Sequence, residues 1–304
     1  MSDTDATSVG TDQPTPSQTA EVMALYRALE STRPADERLF IDPVAKRFLR
    51  LWGRAVVDIA RIPAAHRQIA RSLDRRWPGA RTSAVARTRF IDDAVSTAVR
   101  EGATQVLLLG AGFDTRAHRL AGIEGARVFE VDRAATQEKK RRVVARWASE
   151  SDARVGYIPL DFQQETLARA LRVNGLDPAA QTFVVWEGVT NYLSADSVDS
   201  TFRDIAASVG SRSQVLFTYV HAGLLDGSVD FAGGAEILSR VSAVGEPWTF
   251  GLDPRGLAAY LSARGMTLVG DMSADEYRAR YFGPAAREMI GYSFYRVARA
   301  FIRN

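Results

Sequence analysis

Three acidic side chains follow three apolar runs in the middle of the chain. Asp132 ends the segment ARVFEVD, Asp161 follows RVGYIPL, and Glu187 follows TFVVW. Apolar runs of this length that alternate with helical patterns predict buried parallel strands. In an open parallel sheet, ligands bind outside the carboxyl ends of the strands. We therefore expect the three carboxylates to face one ligand that carries several hydrogen-bond donors.

A glycine turn comes just before the first of these acids. Gly110 and Gly112 follow the apolar run QVLLL and precede a short helical stretch. Glycine permits a tight turn and a close approach of the backbone to a ligand. A dinucleotide-binding fingerprint would have a third glycine where Thr115 stands, and Asp114 would repel a pyrophosphate at the helix N-terminus. The turn thus favours a ligand without a pyrophosphate, or it only packs a helix on the sheet.

Each acid suits one part of a nucleoside-type ligand. Asp132 lies twenty residues after Gly112, where a carboxylate accepts hydrogen bonds from both ribose hydroxyls. Asp161 suits an exocyclic adenine amine, with the aromatic Phe162 over the ring. Glu187 suits an α-ammonium, because a charge that follows a buried strand is costly unless it is paired. For Asp132 and Asp161, capping of the helix that follows is the structural alternative.

A ligand with an α-ammonium would also carry an α-carboxylate, and the chain offers arginines for it. Arg87 and Arg89 lie in ARTRFID, within a long amphipathic helical pattern that precedes the first strand. A guanidinium can clamp a carboxylate through two hydrogen bonds; a surface arginine is the alternative. Asp114 could then hold such an arginine in place. Ribose, adenine amine, ammonium and carboxylate together describe S-adenosylmethionine, whereas a nicotinamide dinucleotide has no ammonium for Glu187.

The order of these motifs resembles one protein family. ARTRFID, VLLLGAGFDTR, EVD, LDF and WEGVTNYL are similar to the motifs of the leucine carboxyl methyltransferase family, and more narrowly to its actinobacterial S-adenosyl-L-methionine-dependent methyltransferases. The resemblance extends over roughly residues 20–300 and matches Arg27 loosely to a basic residue of the family's N-terminal helix. No family pattern marks the acceptor site, so the catalytic residues stay unassigned. The cofactor-binding residues that it implies are Arg87, Gly110, Gly112, Asp132, Asp161, Phe162 and Glu187.

The elements that must position these residues alternate between strands and helices from residue 105 onward, after a helical N-terminal part. This alternation is typical of an α/β fold with a mostly parallel sheet. The resemblance implies a Rossmann-like class I methyltransferase sheet with an antiparallel last strand, a helical N-terminal cap and an inserted lid. The expected segments are a disordered tail (1–19) and a single methyltransferase domain (20–304), which comprises the cap (20–100), the cofactor-binding core (101–221), the lid (222–250) and the C-terminal part of the sheet (251–304).

The composition excludes several kinds of site. The chain has no cysteine and its three histidines show no metal-ligand spacing, so disulfides and thiolate chemistry are excluded and no metal is expected. The net charge is +3, nearly all basic residues are arginine, and we expect no nucleic-acid partner because no nucleic-acid module is present. The chain lacks an apolar run of about 18 residues and a secretory signal. We therefore expect a cytoplasmic protein with no membrane partner.

The resemblance implies O-methyl transfer, with a carboxylate of a small molecule or peptide as the first acceptor to consider. A carboxylate is ionised at neutral pH and needs no general base, whereas an alcohol or phenol would benefit from one. His221, Tyr192 and Tyr219 lie near strand ends, where we expect them to be structural or to line the substrate. One alternative is an NAD(P)-dependent oxidoreductase, which Thr115, Asp114 and the lack of a Tyr-x-x-x-Lys pair disfavour. The other alternative is a non-catalytic S-adenosylmethionine-binding protein.

Overall fold

The computed structural model of the protein describes residues 18–147, 154–162 and 165–303. The expected tail (1–19) thus lies outside the described residues except for its last two, which belong to the first helix rather than to a tail. No helix in the described ranges is long and apolar enough to cross a membrane.

Seven strands form one sheet in the order β3-β2-β1-β4-β5-β7-β6. The first five strands run parallel, and β7 is antiparallel to both of its neighbours, β5 and β6. The expected fold class, an α/β sheet that is mostly parallel with an antiparallel last strand, is confirmed. The strands are β1 (Gln105–Leu109), β2 (Arg127–Asp132), β3 (Val155–Pro159), β4 (Thr182–Trp186), β5 (Gln214–Val220), β6 (Met266–Ser273) and β7 (Tyr295–Ile302).

The register of the central strands aligns their carboxyl ends. Leu109 of β1 pairs with Val131 of β2 on one side and with Trp186 of β4 on the other. The residues that follow, which are Gly110 after β1 and Glu187 after β4, therefore emerge at the same edge of the sheet, beside Asp132. The sequence pattern that predicted this meeting was correct because parallel pairing leaves little freedom in how strand ends align.

Twelve α-helices and several 3₁₀ turns lie in the described part of the chain. The helices are α1 (Gln18–Glu30), α2 (Leu51–Ile59), α3 (Pro63–Arg76), α4 (Ala80–Arg100), α5 (Arg116–Arg119), α6 (Ala134–Val144), α7 (Leu167–Val173), α8 (Ala195–Ser208), α9 (Ala222–Leu225), α10 (Gly234–Ala243), α11 (Leu257–Ser262) and α12 (Ala274–Phe282). Ser194 caps α8 by accepting a hydrogen bond from the Ser197 N–H at 3.2 Å.

Apolar side chains cover both faces of the sheet, as alternation along buried strands requires. On one face Leu107, Phe129 and Trp186 pack under α7, α8 and α11. On the other face Val106 and Val128 pack under α4 and α12. Each large apolar side chain that is fully buried in this way stabilises the fold by about 1.5–3 kcal/mol. The sheet edge is therefore a rigid platform for the loops that follow each strand.

Helix α12 was missed by the sequence patterns. Its start carries a capping box, in which Ser273 accepts from the Glu276 N–H and the Glu276 side chain accepts from the Ser273 N–H. The Ser-x-x-Glu spacing was the available signal. The helix packs against α4, where the Tyr277 hydroxyl lies 2.6 Å from Ser83 Oγ. Helix α12 thus supports the back of the helix that carries Arg87.

Residues 222–250, the expected lid, comprise α9, α10 and the loop after them. The loop is attached to the segment after β4, because the Thr249 N–H donates to the Asn191 carbonyl at 2.7 Å and its hydroxyl donates to the Leu193 carbonyl at 2.9 Å. At its other side, Glu246 accepts a hydrogen bond from the Thr19 hydroxyl of α1. The insertion and the first helix therefore meet beside the carboxyl edge of the sheet.

Candidate functional site

The glycine turn after β1 has the geometry that its residues predict. Gly110 and Gly112 have φ angles of +62° and +47°. A Cβ on Gly110 would collide with the side chain of Val189 in the loop after β4, so only glycine fits there. Thr115, at the place of the missing third glycine, is buried and donates to Asp42 Oδ2 at 2.6 Å. That position therefore anchors the N-terminal cap instead of approaching a pyrophosphate.

Asp132 lies half-buried beside this turn. Its Oδ2 accepts the Gly112 N–H at 2.5 Å, and its Oδ1 accepts the Arg133 N–H at 2.7 Å. Burial raises the pKa of Asp132, although the bonds from these two N–H groups lower it. Each carboxylate oxygen keeps lone-pair capacity for one more donor. The structure shows no side-chain cap on α6, so the capping alternative for Asp132 is not what its carboxylate does.

Asp161 and Phe162 lie at the end of β3, at the same edge. The Phe162 ring is 6.5 Å from the ring of Trp186, the last residue of β4. The Asp161 N–H donates to Glu165 Oε1 at 3.5 Å, whereas the next described helix begins only at Leu167, with Thr166 as its N-cap. The structure therefore brings Phe162 to the sheet edge, and the contact between Asp161 and Glu165 is made by the Asp161 backbone.

Glu187 holds two buried guanidinium groups. Arg87 Nε donates to Glu187 Oε1 at 2.7 Å, and Arg116 Nη1 donates to Glu187 Oε2 at 2.9 Å. Burial acts to raise the pKa of Glu187, but Arg116 and Arg87 outweigh it and lower this pKa below its ordinary value. Glu187 is therefore ionised at neutral pH. The predicted carboxylate and the predicted arginine, a hundred residues apart, face each other directly.

Arg116 is the centre of the site, and the sequence patterns missed it. Its Nε donates to Asp92 Oδ1 at 2.7 Å, and its Nη1 donates to Asp114 Oδ2 at 2.5 Å. Arg119 donates to both oxygens of Asp92, at 2.7 and 2.9 Å. A buried charge must be paired to be tolerated, and here cations and anions alternate. We call this set the charged network: Arg87, Asp92, Asp114, Arg116, Arg119 and Glu187.

The structure corrects the partner expected for Asp114. The carboxylate holds Arg116, two residues further on, and not Arg87. It also accepts the Arg116 N–H at 2.8 Å, so it closes a local turn at the start of α5. Asp114 thus acts on Arg87 only indirectly, through Arg116 and Glu187. Arg89 points away from this network, because it binds Asp93 at 2.8 Å and the Leu39 carbonyl at 2.6 Å.

Helix α1 lies over the glycine turn and Arg87. Arg27 Nη2 donates to the Phe113 carbonyl at 2.6 Å, and Arg27 Nε donates to Asp42 at 2.9 Å. The Met23 sulfur is 3.7 Å from Arg87 Nη2. Arg27, the loosely matched basic residue, therefore binds the backbone of the turn in this structure. The first helix covers the edge at which the predicted cofactor residues converge.

A wall of rings borders the charged network on the side of the lid. The Arg87 guanidinium lies 4.6 Å from the centre of the Tyr295 ring, a cation–π contact. The Tyr295 ring is in turn 6.3 Å from the rings of both Tyr292 and Trp248. We call this set the aromatic wall: Tyr192, Trp248, Tyr292, Phe294 and Tyr295.

The side chains of His221 and Tyr219 have structural partners. His221 Nδ1 accepts the Gly223 N–H at 3.0 Å and caps α9. The Tyr219 hydroxyl accepts from Arg296 Nε at 3.1 Å. Both contacts agree with the structural interpretation of these residues. No group of acidic residues and histidines within the described ranges has the arrangement of a metal site.

Comparison with known proteins gives relatives that share this architecture. The family model of leucine carboxyl methyltransferases matches residues 20–206. A protein of Frankia alni, named "Putative S-adenosyl-L-methionine-dependent methyltransferase", is 34% identical over 79% of this chain and 82% of its own length. A protein of the same name from Streptomyces coelicolor is 34% identical over 71% of this chain and 72% of its own.

Two solved structures share the fold at low sequence identity. A DUF574 family protein from Streptomyces avermitilis has a TM-score of 0.58 at 14% identity, over 91% of this chain and 96% of its own. A protein from Thermobifida fusca, titled as a putative methyltransferase, has a TM-score of 0.57 at 15% identity, over 93% and 95%. With the matched family model and the relatives above, the chain belongs to the leucine carboxyl methyltransferase family and is an S-adenosylmethionine-dependent methyltransferase.

Proposed function

We propose that this protein transfers a methyl group from S-adenosylmethionine to a carboxylate oxygen of a small molecule or peptide. The residues at the sheet edge fit the cofactor. Arg87 and Glu187 now bind each other. The α-amino acid part of the cofactor carries one ammonium and one carboxylate, so it can enter between them, with its ammonium on Glu187 and its carboxylate on Arg87. The bound cofactor supplies a methyl group that is already activated on a sulfonium.

The remaining cofactor contacts follow from the same edge. Asp132 would accept from the ribose hydroxyls, beside the backbone of Gly110 and Gly112. Asp161 would accept from the adenine amine and Phe162 would cover the adenine ring. Because the donor group is activated, the protein has to position both partners and exclude water rather than supply a nucleophile. Helix α1 and the lid, which meet through Thr19 and Glu246, would exclude the water.

The side chains on the expected acceptor side favour a carboxylate as the methyl acceptor. His221 Nδ1 accepts the Gly223 N–H, so the lone pair of that nitrogen is already engaged. Burial raises the pKa of Tyr192 and Tyr292, so both phenols stay protonated at neutral pH. These groups donate hydrogen bonds but do not deprotonate an alcohol or a phenol. A carboxylate acceptor is already ionised and needs donors only.

The oxidoreductase alternative fits the site poorly. A pyrophosphate would meet the Asp114 carboxylate and would find the Thr115 side chain, bonded to Asp42, in place of a third glycine. Membership of a methyltransferase family likewise disfavours a non-catalytic S-adenosylmethionine-binding protein.

The test combines binding with a chemical assay of the product. Calorimetry is expected to give binding of S-adenosylmethionine and S-adenosylhomocysteine but not of NAD. The protein is then incubated with methyl-labelled S-adenosylmethionine and a panel of carboxylic acids, alcohols and phenols. The products are treated with alkali. Methyl esters release volatile methanol, whereas ethers do not. Label that stays in alkali-stable products would overturn the carboxylate assignment, and cofactor binding without transfer to any carboxylic acid of the panel would also contradict it.

A further inference from the structure

Tyr292 has an unusual backbone conformation within the aromatic wall. Its φ is +65°, a value that bulky side chains rarely adopt. Such a conformation is strained and persists only where the surroundings enforce it. Residues held in this way cluster at functional sites.

A close crossing of two backbone segments enforces this conformation. A Cβ on Gly291 would lie 2.5 Å from the Pro78 carbonyl oxygen, and a Cβ on Gly79 would lie 2.5 Å from the Gly291 carbonyl oxygen. The segment before Tyr292 is thus pressed against the junction between α3 and α4. On its other side, the Tyr292 carbonyl accepts the Tyr295 N–H at 2.9 Å. The backbone is thus fixed on both sides of the strained residue, which sets the direction in which its side chain leaves the chain.

The ring of Tyr292 lies where the lid, the first helix and the sheet meet. It packs with Phe294 and Tyr295, at centroid distances of 5.0 and 6.3 Å. The titratable groups that interact with its phenol are Tyr26 of α1, Tyr192, Tyr295 and Arg87. Within the described residues the phenol oxygen has no hydrogen-bond partner. A half-buried hydroxyl without a partner, held beside a buried cation, is available to a ligand.

The surroundings of the phenol restrict the body of the ligand. Next to Tyr292 the rings continue into the lid, where Trp248 and Phe231 are each partly exposed and lie 6.1 and 5.8 Å from the buried Phe294. Aromatic rings favour contact with other planar apolar groups beyond the area that they bury. A ligand with further charged groups would gain no ion pair from these rings.

We propose that Tyr292 binds the methyl acceptor, that its phenol donates a hydrogen bond to the acceptor carboxylate, and that the acceptor is an arylcarboxylate whose ring packs against Trp248 and Phe231. The proposal rests on the proposed function and adds the acceptor class and its binding residue. Transfer forms a bond between the carboxylate oxygen and the methyl carbon while the bond from that carbon to the sulfonium sulfur breaks. The neutral thioether keeps the electron pair, and no proton moves.

The experiment measures binding of benzoate to the protein saturated with S-adenosylhomocysteine, by calorimetry. Tyr292→Phe keeps the ring and the backbone and removes only the hydroxyl. We expect this variant to bind benzoate at least about tenfold more weakly, as the loss of a hydrogen bond to a charged group predicts, and to keep its affinity for S-adenosylhomocysteine. Benzamide, of the same shape without the charge, should bind weakly to both proteins.

A matched control removes a phenol outside the site. Tyr281 donates to Asp93 at 2.8 Å on the outer side of α4, so Tyr281→Phe should leave benzoate binding unchanged. Equal benzoate affinity in the wild-type protein and Tyr292→Phe would overturn the role of Tyr292. Binding of S-adenosylhomocysteine without any binding of benzoate would overturn the acceptor class alone. Failure of the wild-type protein to bind S-adenosylhomocysteine would instead overturn the proposed function.

Discussion

The charged network and the aromatic wall border the same edge of the sheet, but different forces hold them. In the network every buried charge has a partner of opposite sign at 2.5–2.9 Å, and the partners come from α4, the turn after β1, α5 and the loop after β4. In the wall, neutral rings from the loop after β4, the lid and the segment that leads into β7 contact one another at 5.0–6.5 Å. Charge pairs fix one geometry, whereas ring contacts tolerate variation.

This difference suits a division of labour in a methyltransferase. The donor is one molecule, so its site gains from a network in which each charge has a single correct position. The acceptor has a body of its own shape, and a wall of rings can adjust to it at low cost. Removal of one partner of a buried charge pair costs about 3–5 kcal/mol, whereas a ring contact contributes about 0.5–1.5 kcal/mol. The network should therefore decide folding and cofactor binding, and the wall should decide acceptor choice.

The largest effect is expected from Arg116→Met. The substitution keeps much of the side-chain volume but leaves Asp92, Asp114 and Glu187 without their shared cation. We expect the free energy of unfolding to fall by about 3–5 kcal/mol, measured by urea denaturation. Arg142→Met, which removes an exposed pair with Glu138, is the matched control and should change it by less than about 1 kcal/mol. Similar losses in both variants would refute the central place of the network.

The two regions should respond at opposite ends of the pH range. The pKa values of Asp42, Asp114 and Glu187 are lowered in the folded state by arginines that outweigh burial. Their stabilisation is present above the ordinary carboxyl pKa and is lost as pH falls below it. Burial raises the pKa of Tyr192 and Tyr292, so their contribution is present below pH 10, the ordinary value, and is lost above it.

We therefore expect the free energy of unfolding to begin to fall below about pH 4 and to decrease by about 2 kcal/mol or more in acid. Absorbance at the tyrosinate band should show a group of phenols that ionise only with unfolding in alkali. Denaturation curves between pH 3 and pH 11 measure both effects. A free energy of unfolding that does not change between neutral pH and pH 3 would contradict the pairing of these carboxylates.

Substitutions at the donor side should weaken cofactor binding without loss of the fold. Asp132→Ala removes the ribose acceptor, and we expect at least about a tenfold loss of affinity for S-adenosylmethionine, or about 1.4 kcal/mol. Arg87→Ala should weaken cofactor binding similarly and should also lower the free energy of unfolding, because it leaves Glu187 with one buried partner fewer. Arg89→Ala should have smaller effects because Arg89 binds Asp93 and a backbone carbonyl. Calorimetry with each variant measures the difference. Equal losses for Arg87→Ala and Arg89→Ala would contradict the role given to Arg87.

The smallest effect is expected at the wall. Trp248→Leu keeps an apolar side chain and removes the ring contacts of the lid with Tyr192, Phe294 and Tyr295. It should weaken benzoate binding about fivefold, which corresponds to about 1 kcal/mol, and leave S-adenosylhomocysteine binding unchanged. Trp52→Leu, at a tryptophan that is 74% exposed on α2, is the matched control. A loss of cofactor affinity in Trp248→Leu would show that the wall and the network are not separable.

Much of the fold could be predicted because it is recorded in local patterns. Strands β1 to β5 coincide with predominantly apolar segments, β7 coincides with an alternating segment, and Ser194 marks the start of α8. Helix α12 was missed because its apolar face is short, although its capping box was visible.

The candidate site was likewise predictable in part. The predicted cofactor residues lie at the carboxyl edge of the sheet or, for Arg87, directly against it, since parallel strands align their ends. Arg116 and Tyr292 were missed, because an arginine-rich chain offers many arginines and a positive φ at tyrosine has no sequence signal.

The sequence by itself determined the sheet, the glycine turn and the acids at the strand ends. These depend on side-chain periodicity and on conformations that only particular residues adopt, and both are local properties. Only the tertiary structure decided that Asp114 binds Arg116 rather than Arg87, and that Glu187 accepts from both arginines. The tertiary structure also decided that the segments of Gly79 and Gly291 cross closely, just before Tyr292. Pairing between distant segments is set by the packing of whole helices on the sheet, which no single stretch of sequence contains.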